Sequence, residues 1–321
     1  MTLLLTFLTS TIRLGITLLL GSTGEIITEK SGHLNLGIPG IMCVGAACGC
    51  LGESLYTSSL DSYDQMSPLP AVIIPILCSL LGAALMGLIY SFLTVTLRAN
   101  QNVTGLALTT FGVGVTNYII SQLEFVSFQR GSRFFTAALP FADKLGWFGQ
   151  LFLSYGFLVY LSLAIAIVAS IVLTKTRLGL HLRSVGENPA TADAMGINVT
   201  LYRYAATCVG SAIAGLGGLF FVMDYLGGNW EYCIDAMGWL SIALVIFAVW
   251  KPHVSILGSF LFGGLYIAYN YIGGVTFAQK ELLKMLPYVV TILVLIVTSI
   301  RNKRENQPPA GLGLNYYREE R

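Results

Sequence analysis

From Ala71 to Leu97 the chain runs 27 residues without a charged side chain. At about 1.5 Å of rise per helical residue, that stretch outreaches the roughly 30 Å hydrocarbon core of a bilayer, so it spans with tilt or with one interfacial end. The rest of the chain follows the same pattern. Charged residues make up 11% of it and hydrophobic ones 55%, against about 25% charged in an ordinary soluble domain. This is an integral membrane protein. The 35 glycines exceed the usual share of about 7%, as expected where helices approach backbone to backbone in lipid. The net charge of +2 argues against nucleic-acid binding, and no soluble domain of useful size is left between the spans.

Read in order, residues 3 to 23 form a first span interrupted by Arg13, with neither the basic start nor the A-x-A site of a removed signal peptide. A polar break, Gly24 to His33, precedes a second apolar run, Leu34 to Leu51, whose glycines and Pro39 point to a broken or kinked helix. Such a helix belongs where protein or a water-lined cavity satisfies its freed backbone groups. Asn35 and Gly37 are therefore candidates for a solute pathway, the alternative being a structural helix packed through glycine. Glu53, Asp61 and Asp64 fall in the loop before the long third span, and Arg98 marks that span's cytoplasmic end. A fourth span runs from about Val103 to Gln122 with Asn117 at depth, either a pathway contact or a hydrogen bond between helices.

Leu123 to Gln150 reads as an external loop carrying an interfacial helix, with Arg130, Arg133, Asp143, Lys144 and Trp147. Leu151 to Thr174 is the fifth span and Tyr204 to Met223 the sixth. In the sixth, Gly210, Ala214 and Gly218 repeat at intervals of four and so share one packing face. Asp224 to Gly238 forms an outer loop. Trp239 to Trp250 is short for a span, so it is either broken or extended by its flanks. Val254 to Gly274, which carries Asn270 as a further pathway candidate, and Met285 to Ile300 complete about nine passes, within a range of eight to ten. The chain is expected to be one all-α transmembrane domain over residues 1–300, followed by a basic, poorly ordered tail over 301–321. With that tail inside, twelve Lys and Arg fall on the cytoplasmic side and five outside, as the positive-inside rule asks.

One polar interval stands out, the cytoplasmic loop 175–203 between the fifth and sixth spans. Within it Asn188 can cap free backbone N–H groups, and Pro189 fits a first helical position. Gly196 supplies a stop, which predicts a two-turn helix from Pro189 to Met195. No GxxxxGK[ST] loop is present, so any coupling to ATP has to come from another subunit. Six cysteines without a CxxC pair and three dispersed histidines indicate neither a zinc site nor a metal hydrolase. The acidic residues fall mainly outside the predicted spans, Glu25 and Asp224 at their edges, which weakens a proton- or ion-coupled carrier. A neutral lining of Asn, Thr, Ser and Tyr suits an uncharged, hydroxyl-bearing solute.

Two segments, GEIITEKSGHLNLGIPGIMCVGA at 24–46 and TRLGLHLRSVGENPATADAMGINV at 176–199, resemble permeases of bacterial ABC importers, supported by LRANQNVTGLAL at 97–108. The wording is most similar to the simple-sugar and purine-nucleoside permeases of the branched-chain amino acid, ribose and nucleoside group. The resemblance implies a type II-like, non-catalytic half-transporter in the bacterial plasma membrane with its C-terminus cytoplasmic. It also implies a second homologous permease, two cassettes that bind Mg-ATP in this chain's stead, and an extracellular binding lipoprotein. Glu187, Asn188, Pro189, Ala192, Asp193 and Gly196 lie at positions resembling the family's ATPase-docking element. The implied substrate is a nucleoside; ribose or another simple sugar is the alternative within the class, and a stand-alone secondary transporter or channel the alternative outside it. Ile38-Pro39 departs from the family pattern, in which many members carry an acidic residue before Gly40, and this puts substrate choice in doubt.

Overall fold

A computed structural model describes residues 2–138, 146–274, 276–301 and 307–317. Its elements are α1 (Thr2–Glu29), α2 (Ile38–Ser58), α3 (Pro68–Ser91), α4 (Gln101–Ser121), α5 (Phe125–Phe135), α6 (Gly146–Phe152) and α7 (Phe157–Lys175). There follow α8 (Arg177–Glu187), α9 (Pro189–Ala194), α10 (Val199–Phe220), α11 (Ile234–Phe247), α12 (Pro252–Ile267), α13 (Phe277–Lys284) and α14 (Leu286–Arg301). Eight helical stretches are long and apolar enough to cross a membrane, and α11 is a shorter apolar helix. The protein is a polytopic helical bundle, and no strand occurs among the described residues. Asp143, Lys144, Lys303, Arg304, Arg318 and Arg321 lie outside the described residues.

The bundle is built around α10 and α2, each with 78% of its apolar window buried, whereas the window containing α14 is only 11% buried. Lipid tails are as apolar as leucine, so helices associate in a bilayer chiefly by close packing, and here glycine permits it. A Cβ at Gly24 of α1 would fall on the carbonyl oxygen of Gly210 in α10, and one at Gly210 would fall on that of Gly24. Gly45 of α2 meets Gly215 of α10 in the same way, and Gly218 sits on the Met42 carbonyl. The Gly210, Ala214, Gly218 stripe is thus the seam along which α10 meets α1 and α2.

Several boundaries differ from those expected. The break at Gly24 does not end the first span: α1 continues to Glu29, because Gly24 is there for the contact with Gly210 and not for a turn. Pro39 neither breaks nor kinks α2. It occupies the first turn, where the missing N–H costs nothing, and α2 runs unbroken through Ser58. The short seventh span is lengthened by its N-terminal flank, so that α11 starts at Ile234 and ends at Phe247. Local irregularity falls at helix ends, with π turns at Phe92–Thr96 after α3 and at Phe221–Tyr225 after α10.

These shifts bring acids into the bundle. Glu25, Glu29, Glu53 and Asp224 all lie in candidate spans and are all buried. The Asn35 N–H donates to Glu25 Oε1 at 3.1 Å, the Trp250 indole N–H donates to Glu29 Oε2, and Arg13 lies 3.5 Å from Asp224. The scarcity of intramembrane carboxylates expected from the sequence is therefore corrected, because the helices carrying them extend further than hydropathy indicates.

Within the tail, residues 307–317 have fixed partners. Residues 307–317 lie across the end of the bundle that carries α8 and α9. The Gly311 N–H donates to the Gly186 carbonyl at 2.9 Å, and the Gly313 N–H to that of Gly32 at 3.2 Å. Polar composition predicts disorder only where backbone groups have no fixed partners, and here the loops of the bundle supply them.

The α1–α10 seam makes a direct prediction. Gly210→Val should cut the yield of monodisperse protein in mild detergent several-fold and lower its melting temperature, since a backbone carbonyl cannot move aside. Gly114→Ala, with nothing within 4 Å of the added carbon, should leave both unchanged in the same fluorescence-detected size-exclusion assay.

Candidate functional site

The segment between α7 and α10 folds as two short helices because each start and stop is specified locally. The Thr176 hydroxyl accepts from Gly179 N at 3.2 Å to begin α8. The Asn188 side chain accepts from Thr191 N at 3.0 Å and Pro189 takes the first position of α9. At the other end Gly196 has φ of 82°, Ile197 N bonds the Ala192 carbonyl and Gly196 N bonds that of Asp193, each at 3.0 Å. That paired closure needs a residue in the left-handed region, which glycine adopts without strain. Asn198 then caps α10 by accepting from Leu201 N at 3.0 Å. The helix ends at Ala194, one residue before the predicted end.

The six residues expected at a docking element are brought together here, and the structure divides their roles. Ala192 is buried, 2% exposed, and packs with Val185 and Val199 while Ile197, Tyr202 and Tyr316 close the cluster. It seats α9 on the bundle. Asp193 accepts a hydrogen bond from the Tyr316 hydroxyl at 2.7 Å, and Glu187 Oε2 accepts from Ala310 N at 3.3 Å. Asn188 and Gly196 are exposed and shape the ends. What projects outward is Met195, 78% exposed at the tip, with Thr191 and Ala194 beside it. Sequence reasoning missed Met195, which reads as an ordinary apolar residue. The available signal was its place at the helix stop, just before Gly196.

The four pathway candidates do not converge. Asn35 is buried in the link between α1 and α2, where its side-chain oxygen accepts from Gly37 N at 3.0 Å and organises the start of α2. Gly37 packs against that same oxygen and Leu108. Asn117 is exposed near the far end of α4, and Asn270 is exposed in the 3₁₀ turn that closes α12. Thus the first pair lies at the α9 end and the other two near the opposite end, on separate helices.

Beneath α9 the surface is predominantly basic. A cavity of about 460 Å³ is lined by Lys30, Arg183, Glu187, Trp250, Lys251 and His253, among others. A second, of about 930 Å³, lies between the π turn after α3 and the start of α10, lined by Arg98, Asp193, Gly196, Arg203 and Tyr316, among others. Burial pushes the Lys30 ammonium below its ordinary value, an effect opposed by Glu187. Burial, with Arg203 adding, pushes the His33 imidazole well below its usual range, so His33 is neutral and its Nδ1 pairs with the Thr207 hydroxyl at 3.1 Å. Among the described residues no group of three His, Cys, Asp or Glu side chains is placed to hold a metal. The arrangement offers mechanical contact: a capped, seated helix with an exposed apolar tip, followed by the span α10 and linked to the span α7 through α8.

The permease protein of a nucleoside ABC transporter from Lactococcus lactis, NupC, is 33% identical over 292 residues, covering 87% of each chain. The guanosine ABC transporter permease NupQ of Bacillus subtilis is 29% identical over 285 residues, again 87% of each. A putative glucose ABC transporter permease of Haloferax volcanii, TsgC13, is 30% identical over 335 residues and 97% of each chain. No solved structure matches the chain. Residues 7–295 match the permease component of the branched-chain amino acid transport system, a match that covers both α9 and the bundle it sits on, and the chain belongs to that family of membrane transport permeases.

Proposed function

We propose that this chain is the permease subunit of an ATP-driven importer that carries a nucleoside, a purine nucleoside first, across the bacterial plasma membrane by alternating access. The observation that carries the reading is α9, a helix seated by Ala192, tipped by Met195 and joined to α10 directly and to α7 through the short helix α8. A rigid helix of this kind, held in the cleft of a partner ATPase, converts cassette closure into movement of α7 and α10. The partner binds Mg-ATP, a second homologous permease completes the pathway, and an extracellular binding lipoprotein delivers the solute. In this reading the α9 end is cytoplasmic, together with residues 307–317. Support comes from the basic residues gathered there, Lys30, Arg98, Lys175, Arg177, Arg183, Arg203 and Lys251.

The nucleoside assignment draws on the names of NupC and NupQ. A simple sugar is the second reading, favoured by TsgC13, which aligns with 97% of the chain at 30% identity. The case against a stand-alone carrier rests on family membership and on α9, not on a lack of buried acids.

Two outcomes are expected. Met195→Asp, which places a charge on the exposed tip without touching the buried Ala192 contact, should abolish both co-purification of the ATPase and ATP-dependent uptake while membrane insertion stays normal. Uptake that persists in vesicles stripped of any ATPase would overturn the ABC reading. For the solute, guanosine, adenosine, uridine and ribose are compared for retention by the cognate binding lipoprotein and for stimulation of ATPase activity in the reconstituted complex. Guanosine or adenosine is expected to lead, and selective retention of ribose would replace nucleoside with sugar.

A further inference from the structure

A helix docked at α9 is joined through the chain only to α8 and α10, whereas α1, α2, α3 and α4 make up much of the bundle that has to move. Residues 307–317 bridge that gap. On the connector side, the Gly311 N–H donates to the Gly186 carbonyl at 2.9 Å, Ala310 N donates to Glu187, and the Tyr316 hydroxyl donates to Asp193 of α9 itself. The Leu314 carbonyl accepts from Arg203 Nη2 of α10 at 3.3 Å. On the other side, Gly313 N donates to the Gly32 carbonyl in the α1–α2 link. The Asn315 side-chain amide donates to the carbonyls of Arg98 at 2.7 Å and Ala99 at 3.3 Å, in the corner between α3 and α4. Gln101, in the first turn of α4, donates to the Leu314 carbonyl at 3.4 Å and to Asn315 Oδ1 at 3.3 Å, while its own oxygen accepts from Leu34 N at 2.8 Å.

We infer that segment 307–317 is a clasp that carries displacement of α9 to the α1–α2 link and the α3–α4 corner, with Tyr316 and Asn315 as its positioning residues at the two ends. Four of these bonds end on the backbone carbonyls of Gly186, Gly32, Arg98 and Ala99, so the clasp grips the paths of the loops themselves as well as their side chains. The junction is built for close approach. A Cβ at Gly186 would fall on the Lys30 carbonyl oxygen, and one at Gly311 would come within 2.7 Å of the Gly186 carbonyl oxygen. Gly32 and Gly313 hold φ of 86° and 78°, and Arg98, a non-glycine residue, sits at φ of 56° with its carbonyl accepting from Asn315. A left-handed conformation is strained for arginine and persists where its surroundings hold it. The Arg98 guanidinium also lies 4.8 Å from the Tyr317 ring centre, a cation–π contact that fixes the same corner. Loops that only needed covering from water would not need one segment hydrogen-bonded to both sides. The two motif segments that carry the family likeness, around Gly32 and Gly186, are joined through this clasp.

The inference rests on the reading of α9 as the ATPase contact, and its test separates the two. Tyr316→Phe removes one hydroxyl, and Tyr316→Phe with Asn315→Ala removes the side-chain bonds to α9 and to the α3–α4 corner together; each is made in the full chain within the complete complex, purified with its ATPase and reconstituted in vesicles. The readouts are guanosine moved per ATP hydrolysed, ATPase retention, and backbone hydrogen exchange at residues 30–34 and 97–101 on ATP addition. The clasp predicts that both variants retain the ATPase. Transport per ATP should fall about fivefold in the single variant, the scale of one lost hydrogen bond, and further in the double. It also predicts that the ATP-induced exchange change at 97–101 disappears in the double variant while persisting at α9 and at 30–34, where the Gly313–Gly32 backbone bond is retained. A ratio within twofold of wild type in both variants, or an unchanged exchange response at 97–101, overturns the clasp. If the double variant fails to assemble, the single variant decides by the same ratio. If Met195→Asp keeps the ATPase bound, the reading of α9 itself has failed; if Met195→Asp loses it while the tail variants are neutral, only the clasp has.

Discussion

The approach of α10 to α1 and α2 through glycine is the contact the remaining structure depends on. Inside a bilayer the hydrophobic effect does not distinguish a helix touching lipid from one touching another helix, so association comes from close packing and from hydrogen bonds. Gly24 against Gly210, and Gly45 against Gly215, let backbones meet where any side chain would hold them apart. With α10 in that position, Glu25 and Glu29 of α1 are enclosed and the α1–α2 link is held beside the start of α10, where His33 reaches Thr207.

That enclosure explains why so many polar groups lie inside an otherwise apolar bundle. Tyr90 donates to the Leu34 carbonyl and Thr109 to that of Leu36, while Glu25 accepts from Asn35 N and Gln101 from Leu34 N of the same link. A non-helical segment buried in protein cannot be left unsatisfied, because an unpaired backbone group there forfeits its bonds to water without replacing them. The residues 30–37 are therefore irregular and fixed at once. The family motif around them reads in physical terms as a set of donors and acceptors for one buried turn of chain, closed by Asn35 at the start of α2.

The connector shows the complementary economy. Its two short helices are specified almost entirely by local chemistry, through Thr176, Asn188, Pro189 and Gly196, so α9 keeps its shape independently of what docks on it. Its position is a different matter. Ala192 holds it from below, and Tyr316 and Ala310 hold its flanking acids from the side. A helix whose shape is local and whose position is tertiary can move as a unit.

Much of the molecule was legible in the chain because its signals are local. Apolar length gave the membrane bundle, the four-residue spacing of Gly210, Ala214 and Gly218 gave a packing seam, and the Asn-Pro start with a glycine stop gave α9 to within one residue. Where inference failed, one residue type served two purposes. Gly24 looked like a break and proved to be a contact; Pro39 looked like a kink and proved to be a start; the polar tail looked disordered because its partners lie far away in sequence. Asn117 and Asn270 looked like companions of Asn35, yet three dimensions separate them. The sequence by itself determined which segments enter the membrane and where the connector helix begins and ends, since hydropathy and capping act over a few residues. Only the tertiary structure decided which acids are buried, which face of α9 is free, and what residues 307–317 bind, because each depends on groups brought together from distant parts of the chain.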